Sequence, residues 1–263
     1  MYAVQRLVDE ISKWLPWSPS MGVTLLGIDY DASEDAAREA FLQDFRSRLL
    51  LTYRSGFSPP LQLVGGRVIS SDTGWGCMLR VTQMMLAQSF ISLVLGRSWR
   101  FEESVDWAEG SPYLRIAALF LDVPQAPFSL HRMVAAGQKL LGKEPSAWFG
   151  PTSAAQAVGH IFQELAAEAV SAEPEFVKRL ACVVLEDGAI YKDEVLERFD
   201  SGCDSVLLLI CRRLGLDHFN LGEYREGVES CFKLKEFQGL ASGNSSSSAH
   251  FFVATHGDCL LYL

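Results

Sequence analysis

The residues from Ser71 to Arg80 read Ser-Asp-Thr-Gly-Trp-Gly-Cys-Met-Leu-Arg, and Cys77 among them is set up for nucleophilic chemistry. Gly74 and Gly76 flank Trp75 and mark a tight, exposed turn, because glycine takes backbone angles that other residues resist. Past the turn, Leu79, Met84, Ala87, Phe90, Ile91 and Val94 recur at helical spacing with no proline among them, which predicts a helix over 78–95. Cys77 then falls at or just inside a helix N-terminus, where unpaired amide N–H groups and the helix dipole favour a thiolate over a thiol. Such a thiolate needs an imidazole within hydrogen-bond reach, and usually a carboxylate or amide to orient it. The candidates are His131, His160, His218, His250 and His256, and sequence logic alone picks His250, which enters a late strand facing the helix layer. The plainer alternative is a buried cysteine acting as a small apolar group.

The elements that must position Cys77 can be read in order. Val4, Leu7, Val8, Ile11 and Leu15 form one apolar face of a short helix ending before Pro16, and both signs of charge on its polar face favour docking on a core over a membrane surface. A strand is expected over 23–28, then a helix from Ser33-Glu34-Asp35 to about Leu51 that buries Phe41, Phe45 and Leu49. A Gly/Pro-rich loop over 56–66 leads to the Cys77 turn. Helices follow over 112–121, 130–141 and 155–169, the last opened by Gly150-Pro151. Apolar strand-like runs over 180–185 and 206–211, a helix over 220–232, a flexible Gly/Ser loop over 239–248 and a hairpin over 249–263 complete the chain. Helices first and strands later make an α+β layout, with the helix bearing Cys77 packed on a mostly antiparallel sheet.

At 263 residues the chain can bury a sizeable core, and a single domain over 1–263 is expected, with room for a small helical subdomain around 101–145. The formal charge of −9, from 23 basic and 32 acidic residues, argues against nucleic acid as a partner. The six cysteines form no C-x-x-C pair, so no metal site of ribbon or finger type is expected, and no cofactor is called for. Their scatter suits reduced thiols in a cytoplasmic protein. No secretory signal pattern opens the sequence, and no run free of charges approaches membrane-spanning length.

The run from Ser71 to Arg80, continuing through Gln83, Met84, Ala87 and Gln88, resembles the active-site signature of the autophagins, the autophagy cysteine endopeptidases of papain-like fold. The resemblance extends over the segment from Gly22 to Tyr30, Leu51-Thr52-Tyr53-Arg54, Gly96-Arg97-Ser98-Trp99-Arg100, Trp148-Phe149-Gly150-Pro151 and Ser248-Ala249-His250-Phe251-Phe252. It implies a papain-like fold with Cys77 as nucleophile and Tyr53 in the oxyanion site. Trp148 would lie over the groove, admitting a narrow Gly-ended peptide. Taken alone, Tyr53 would read as a core tyrosine and Trp148 as a packing residue.

The implied activity is a thiol protease that cleaves the ubiquitin-like autophagy modifier after its C-terminal glycine. It would both process the precursor and release the modifier from phosphatidylethanolamine, in support of autophagosome formation. The implied partner is that modifier, as precursor and as lipid conjugate, with transient membrane proximity through the latter. The histidine of the Ser248–Phe252 motif is not the family's base. The assigned acid and base belong to an Asp-Pro-His after the strand equivalent to Leu260-Leu261-Tyr262-Leu263, where this sequence stops. The expectation is a domain whose C-terminal part is missing and which is inactive by itself. The alternative is an inactive relative that only binds the modifier.

Overall fold

An apolar helix laid against an antiparallel sheet is the frame of the computed structural model, which describes residues 22–63, 65–167, 174–215, 219–243 and 249–263. The helix expected over 4–15, His218 and residues 244–248 lie outside the described residues.

The chain opens with a tight hairpin, β1 (Val23–Leu25) and β2 (Ile28–Tyr30), where the sequence suggested one continuous strand. The break falls at Leu26-Gly27, both at positive φ, a conformation that ends a strand. Helix α1 (Asp35–Arg46) follows and buries Phe41 and Phe45. It stops short of Leu51 because Ser47 turns back on it, its Oγ donating to the Gln43 carbonyl at 2.7 Å; Leu49 is only half-buried. A two-residue pair, β3 (Leu61–Gln62) and β4 (Val68–Ile69), stiffens what reads as a loop.

Helix α2 (Cys77–Val94) comes next and is buried on almost every side, as an all-apolar helix should be. By length and composition it is long and apolar enough to cross a membrane, but 78% of that window is buried within the protein, as in a core helix. Its polar residues are paired: the Gln83 amide donates to the Phe128 carbonyl at 2.8 Å, and Gln88 accepts from Arg48 at 2.6 Å. Phe90 lies at the centre of a ring cluster with Phe120, Phe128, Phe162 and Phe176, at centroid distances of 5.5 to 6.5 Å.

Short helices α3 (Glu103–Asp106) and α4 (Pro112–Ala118) lead to α5 (Leu130–Leu141) and α6 (Pro151–Ala167), which pack together beside α2. The Ser129 hydroxyl caps α5, accepting from Arg132 N–H, and Gly142 ends it in the left-handed conformation. Then come α7 (Glu175–Lys178), β5 (Leu180–Leu185), α8 (Lys192–Asp200), β6 (Ser205–Ile210) and α9 (Leu221–Phe232). Strands β5 and β6 pair in parallel as a separate two-stranded sheet, so the sheet content is not uniformly antiparallel.

The main sheet is built on β8 (His250–His256). Ala254 pairs with Leu25 of β1 on one side and Leu261 of β9 (Cys259–Tyr262) on the other, while Phe252 pairs with Leu240 of β7 (Leu240–Ser242) and with Tyr262. Strands β1 and β7 therefore share one edge of β8, end to end, and β9 takes the opposite edge. β7 corrects the expectation of a loop beginning at Gly239: residues 240–242 are held in the sheet by β8. Phe251 and Val253 point from β8 into the core shared with α2. The result is a papain-like α+β arrangement.

Candidate active site

Cys77 is the first residue of α2 and is half-buried. The first helical bond here runs from Arg80 N–H to the Gly76 carbonyl at 3.0 Å, so the Cys77 N–H belongs to the unpaired first turn. The turn before it is closed by Asp72, whose carbonyl accepts from Trp75 N–H at 3.2 Å and Gly76 N–H at 2.9 Å. Trp75 folds over the turn, its indole N–H donating to the Ser71 carbonyl at 3.0 Å. Gly76 has to be glycine: a Cβ there would lie 2.6 Å from the Asp72 Cβ.

Tyr53 is brought to the same place from the segment after α1. The residue is 42% exposed, and its phenol lies near the Cys77 side chain. Partial burial, then the interaction with Cys77 and the nearby charge of Asp72, push the Tyr53 phenol up to about 12. It therefore remains a hydrogen-bond donor through the neutral range. The segment is pinned by Asp72, which accepts from Arg54 N–H at 2.6 Å, and by a bridge between Ser55 and Ser71.

Trp148 makes its polar contacts within its own segment. Its carbonyl accepts from Lys143 Nζ at 3.0 Å and its ring folds back beside Gly150, with the indole nitrogen buried and without a hydrogen-bond partner among the described residues. The neighbouring Phe149 fixes the segment by filling the space at Gly137 of α5, where a Cβ would sit 2.3 Å from its ring.

The four described histidines are committed to other contacts. His131 Nε2–H donates to the Pro59 carbonyl at 2.8 Å, and His160 Nε2 lies 3.1 Å from a Glu164 oxygen. His256 is buried, its Nδ1 at 3.4 Å from the Gly22 carbonyl. His250 corrects the expectation drawn from sequence. Along β8 it alternates with Phe251, which faces α2, so it lies on the far face, its ring 4.3 Å from that of Tyr262.

Gly243 also bears on the site. A Cβ on Gly243 would meet Ala249 at 2.8 Å and the tip of Met78, the residue after Cys77, at 3.0 Å. Sequence reading missed the pairing of Asp72 with Arg80, whose Nε donates to the carboxylate at 2.6 Å. A signal was available: an arginine inside an otherwise apolar helix needs a buried partner.

No group of histidine, cysteine or acidic side chains suited to a metal ion occurs among the described residues. What the site can do is present a thiol beside a helix N-terminus, a backbone N–H and a phenol O–H, the set needed for attack on a carbonyl and stabilisation of the resulting oxyanion.

Residues 38–263 match the peptidase C54 catalytic domain. The chain is 34% identical over 247 residues to a probable cysteine protease atg4 of Aspergillus oryzae, an alignment covering 86% of this chain and 57% of that protein. It is 35% identical over 246 residues to a probable cysteine protease ATG4 of Pichia angusta, covering 85% of this chain and 45% of the relative. It is 37% identical over 246 residues to cysteine protease 1 of Neurospora crassa, again covering 85% and 45%. The chain thus spans about half the length of the curated relatives it matches.

Proposed function

Because the chain belongs to the peptidase C54 family, the autophagins, we propose that its protein is a cysteine endopeptidase acting through Cys77. The substrate is the ubiquitin-like autophagy modifier, cut after its C-terminal glycine, both in the precursor and in the phosphatidylethanolamine conjugate. The work is cytoplasmic, with the membrane met through the lipidated substrate.

The observation that carries this reading is the placing of Cys77 as the first residue of α2, with the phenol of Tyr53, 24 residues earlier in the chain, close enough for the two side chains to influence each other's ionisation. The sulfur attacks the glycine carbonyl. The oxygen that becomes an oxyanion is met by the Cys77 N–H, at the positive end of α2, and by the Tyr53 O–H. Trp148 has the role that the resemblance gives it, a wall of the groove that accepts a glycine-ended strand and refuses bulkier ones.

The test is made on the full-length protein. Cys77→Ala is expected to abolish cleavage of the modifier precursor while leaving the modifier bound in a pulldown. Cleavage at the wild-type rate by that variant removes Cys77 from the role. Binding by the unaltered protein with no cleaved product identifies the binding-only alternative.

A further inference from the structure

We propose that Asp72 is a positioning residue that ties the segment bearing Tyr53 to the N-terminal turns of the helix bearing Cys77, and so sets the geometry in which the oxyanion is met. The inference rests on the reading of Cys77 and Tyr53 given above and adds the residue that makes their meeting precise.

Asp72 is fully buried, and a buried carboxylate is costly unless every lone pair is used. Its two oxygens are spent on the two pieces of chain that carry the reacting groups. One accepts from the N–H of Arg54, the residue after Tyr53, at 2.6 Å; the other accepts from Arg80 Nε, one turn beyond Cys77, at 2.6 Å. Its backbone repeats the pattern, with its N–H donating to the Arg54 carbonyl at 3.2 Å and its carbonyl closing the turn at Gly76. The absent side chain at Gly76 lets that turn press directly onto the carboxylate.

Arg80 cannot swing away to relieve the arrangement. Its far nitrogens grip Asp122 at 2.8 and 3.1 Å, a two-pronged pair, and one of them also donates to Gln83 at 3.1 Å. Gln83 in turn is fixed to the Phe128 carbonyl. A rigid line therefore runs from α2 through Arg80 to Asp72 and on to Tyr53. The Asp72 charge also helps keep the Tyr53 phenol protonated. An ion pair that served only stability would have no reason to bond to the residue after Tyr53, and buried pairs are poor stabilisers in any case.

The experiment is a double-mutant cycle in the full-length protein between Asp72→Asn and Tyr53→Phe, read in two ways. In precursor cleavage, Asp72→Asn is expected to lower kcat by about 10- to 100-fold with little change in KM, the scale of a small misplacement. Placed on Tyr53→Phe, it should add less than about two-fold, because the group it positions is gone. The second readout is the rate of Cys77 alkylation by iodoacetamide, measured on its tryptic peptide. Here both single variants should shift the rate the same way, and the double variant should match Tyr53→Phe. If Asp72→Asn does not melt cooperatively, Asp122→Asn, at the partly exposed outer end of the line, enters the same cycle with a smaller effect. Effects that multiply, or wild-type values of both kcat and alkylation, overturn the proposal. Should Cys77→Ala still cleave, the protease reading falls, while the alkylation cycle still decides whether Asp72 acts through Tyr53.

Discussion

Tyr53 shows how little of a residue's role is written in its own exposure. Nearly half of it meets solvent, yet burial of the remainder, the interaction with Cys77 and the charge of Asp72 push its phenol up to about 12. Its proton is therefore in place at every pH at which the enzyme would work. Tyr53→Phe removes one oxyanion donor and keeps the ring, and kcat for precursor cleavage is expected to drop roughly 100-fold. The alkaline side of the pH–rate profile should keep its position below about pH 10, since the lost group does not titrate there. A profile that shifts on this substitution would mean that Tyr53 moves a proton and does not merely donate a hydrogen bond. Cys77 was legible in sequence from the glycines and the helix they precede. Its nearness to Tyr53 was not, because nothing in local spacing relates two residues from separate elements; only the family resemblance joined them. His250 misled for a related reason. Its strand was placed correctly, but the face a strand residue takes depends on which neighbour meets the core, and Phe251 does.

At the scale of elements, α2 does two jobs with one face-all-round pattern. Its N-terminus carries the thiol, and through Phe90 its middle is the post around which the turn before α5, α6 and α7 assemble. Phe90 is fully buried among four other rings, so Phe90→Ala leaves a cavity that rigid neighbours cannot fill. The expected loss is about 3–5 kcal/mol in denaturant unfolding. Leu93→Ala, three residues on and exposed, should stay within about 0.5 kcal/mol. Equal losses at the two positions would show that the ring cluster is not a core. Elements of this kind, long and periodic, were readable: α2, α5 and α6 lie close to their expected spans. The two-residue strands β3 and β4, the three-residue β7 and helix α8 were not. Two or three residues carry no period, and α8 buries no residue fully, so tertiary pairing decides where its pattern does not.

Over the whole molecule, regions remote in sequence are tied by buried groups that are stable in only one protonation state. Asp44 of α1 receives Arg48, Arg97 and Arg100 together with the Tyr30 hydroxyl, joining α1, the β1–β2 hairpin and the segment after α2. Burial, with help from Asp44, pushes the Tyr30 phenol up to about 12. Tyr113, in the cluster with Trp99, Phe101 and Trp107, is pushed up to about 12 by burial and then by Asp106. The Cys182 thiol in β5 is likewise pushed up to about 12, mainly by burial, with Cys211 adding to the rise and Arg198 working against it. All three shifts have the same sign. A folded pKa above the unfolded one means that the unfolded chain gives up its proton first, so the stability due to each group is whole below its ordinary value and is lost as pH climbs toward 12. For Cys182 that loss begins near pH 9, and for the two tyrosines near pH 10. Each group contributes a slope of at most about 1.4 kcal/mol per pH unit. Denaturant unfolding followed against pH should therefore show a decline that starts near 9 and steepens past 10. Cys182→Ala deletes the earliest of these titrations, so the variant, though less stable throughout for its cavity, should fall more shallowly between about pH 9 and 10. Parallel curves for the two proteins would mean that the thiol ionises as readily folded as unfolded, and that β5 is open to water in a way its burial contradicts.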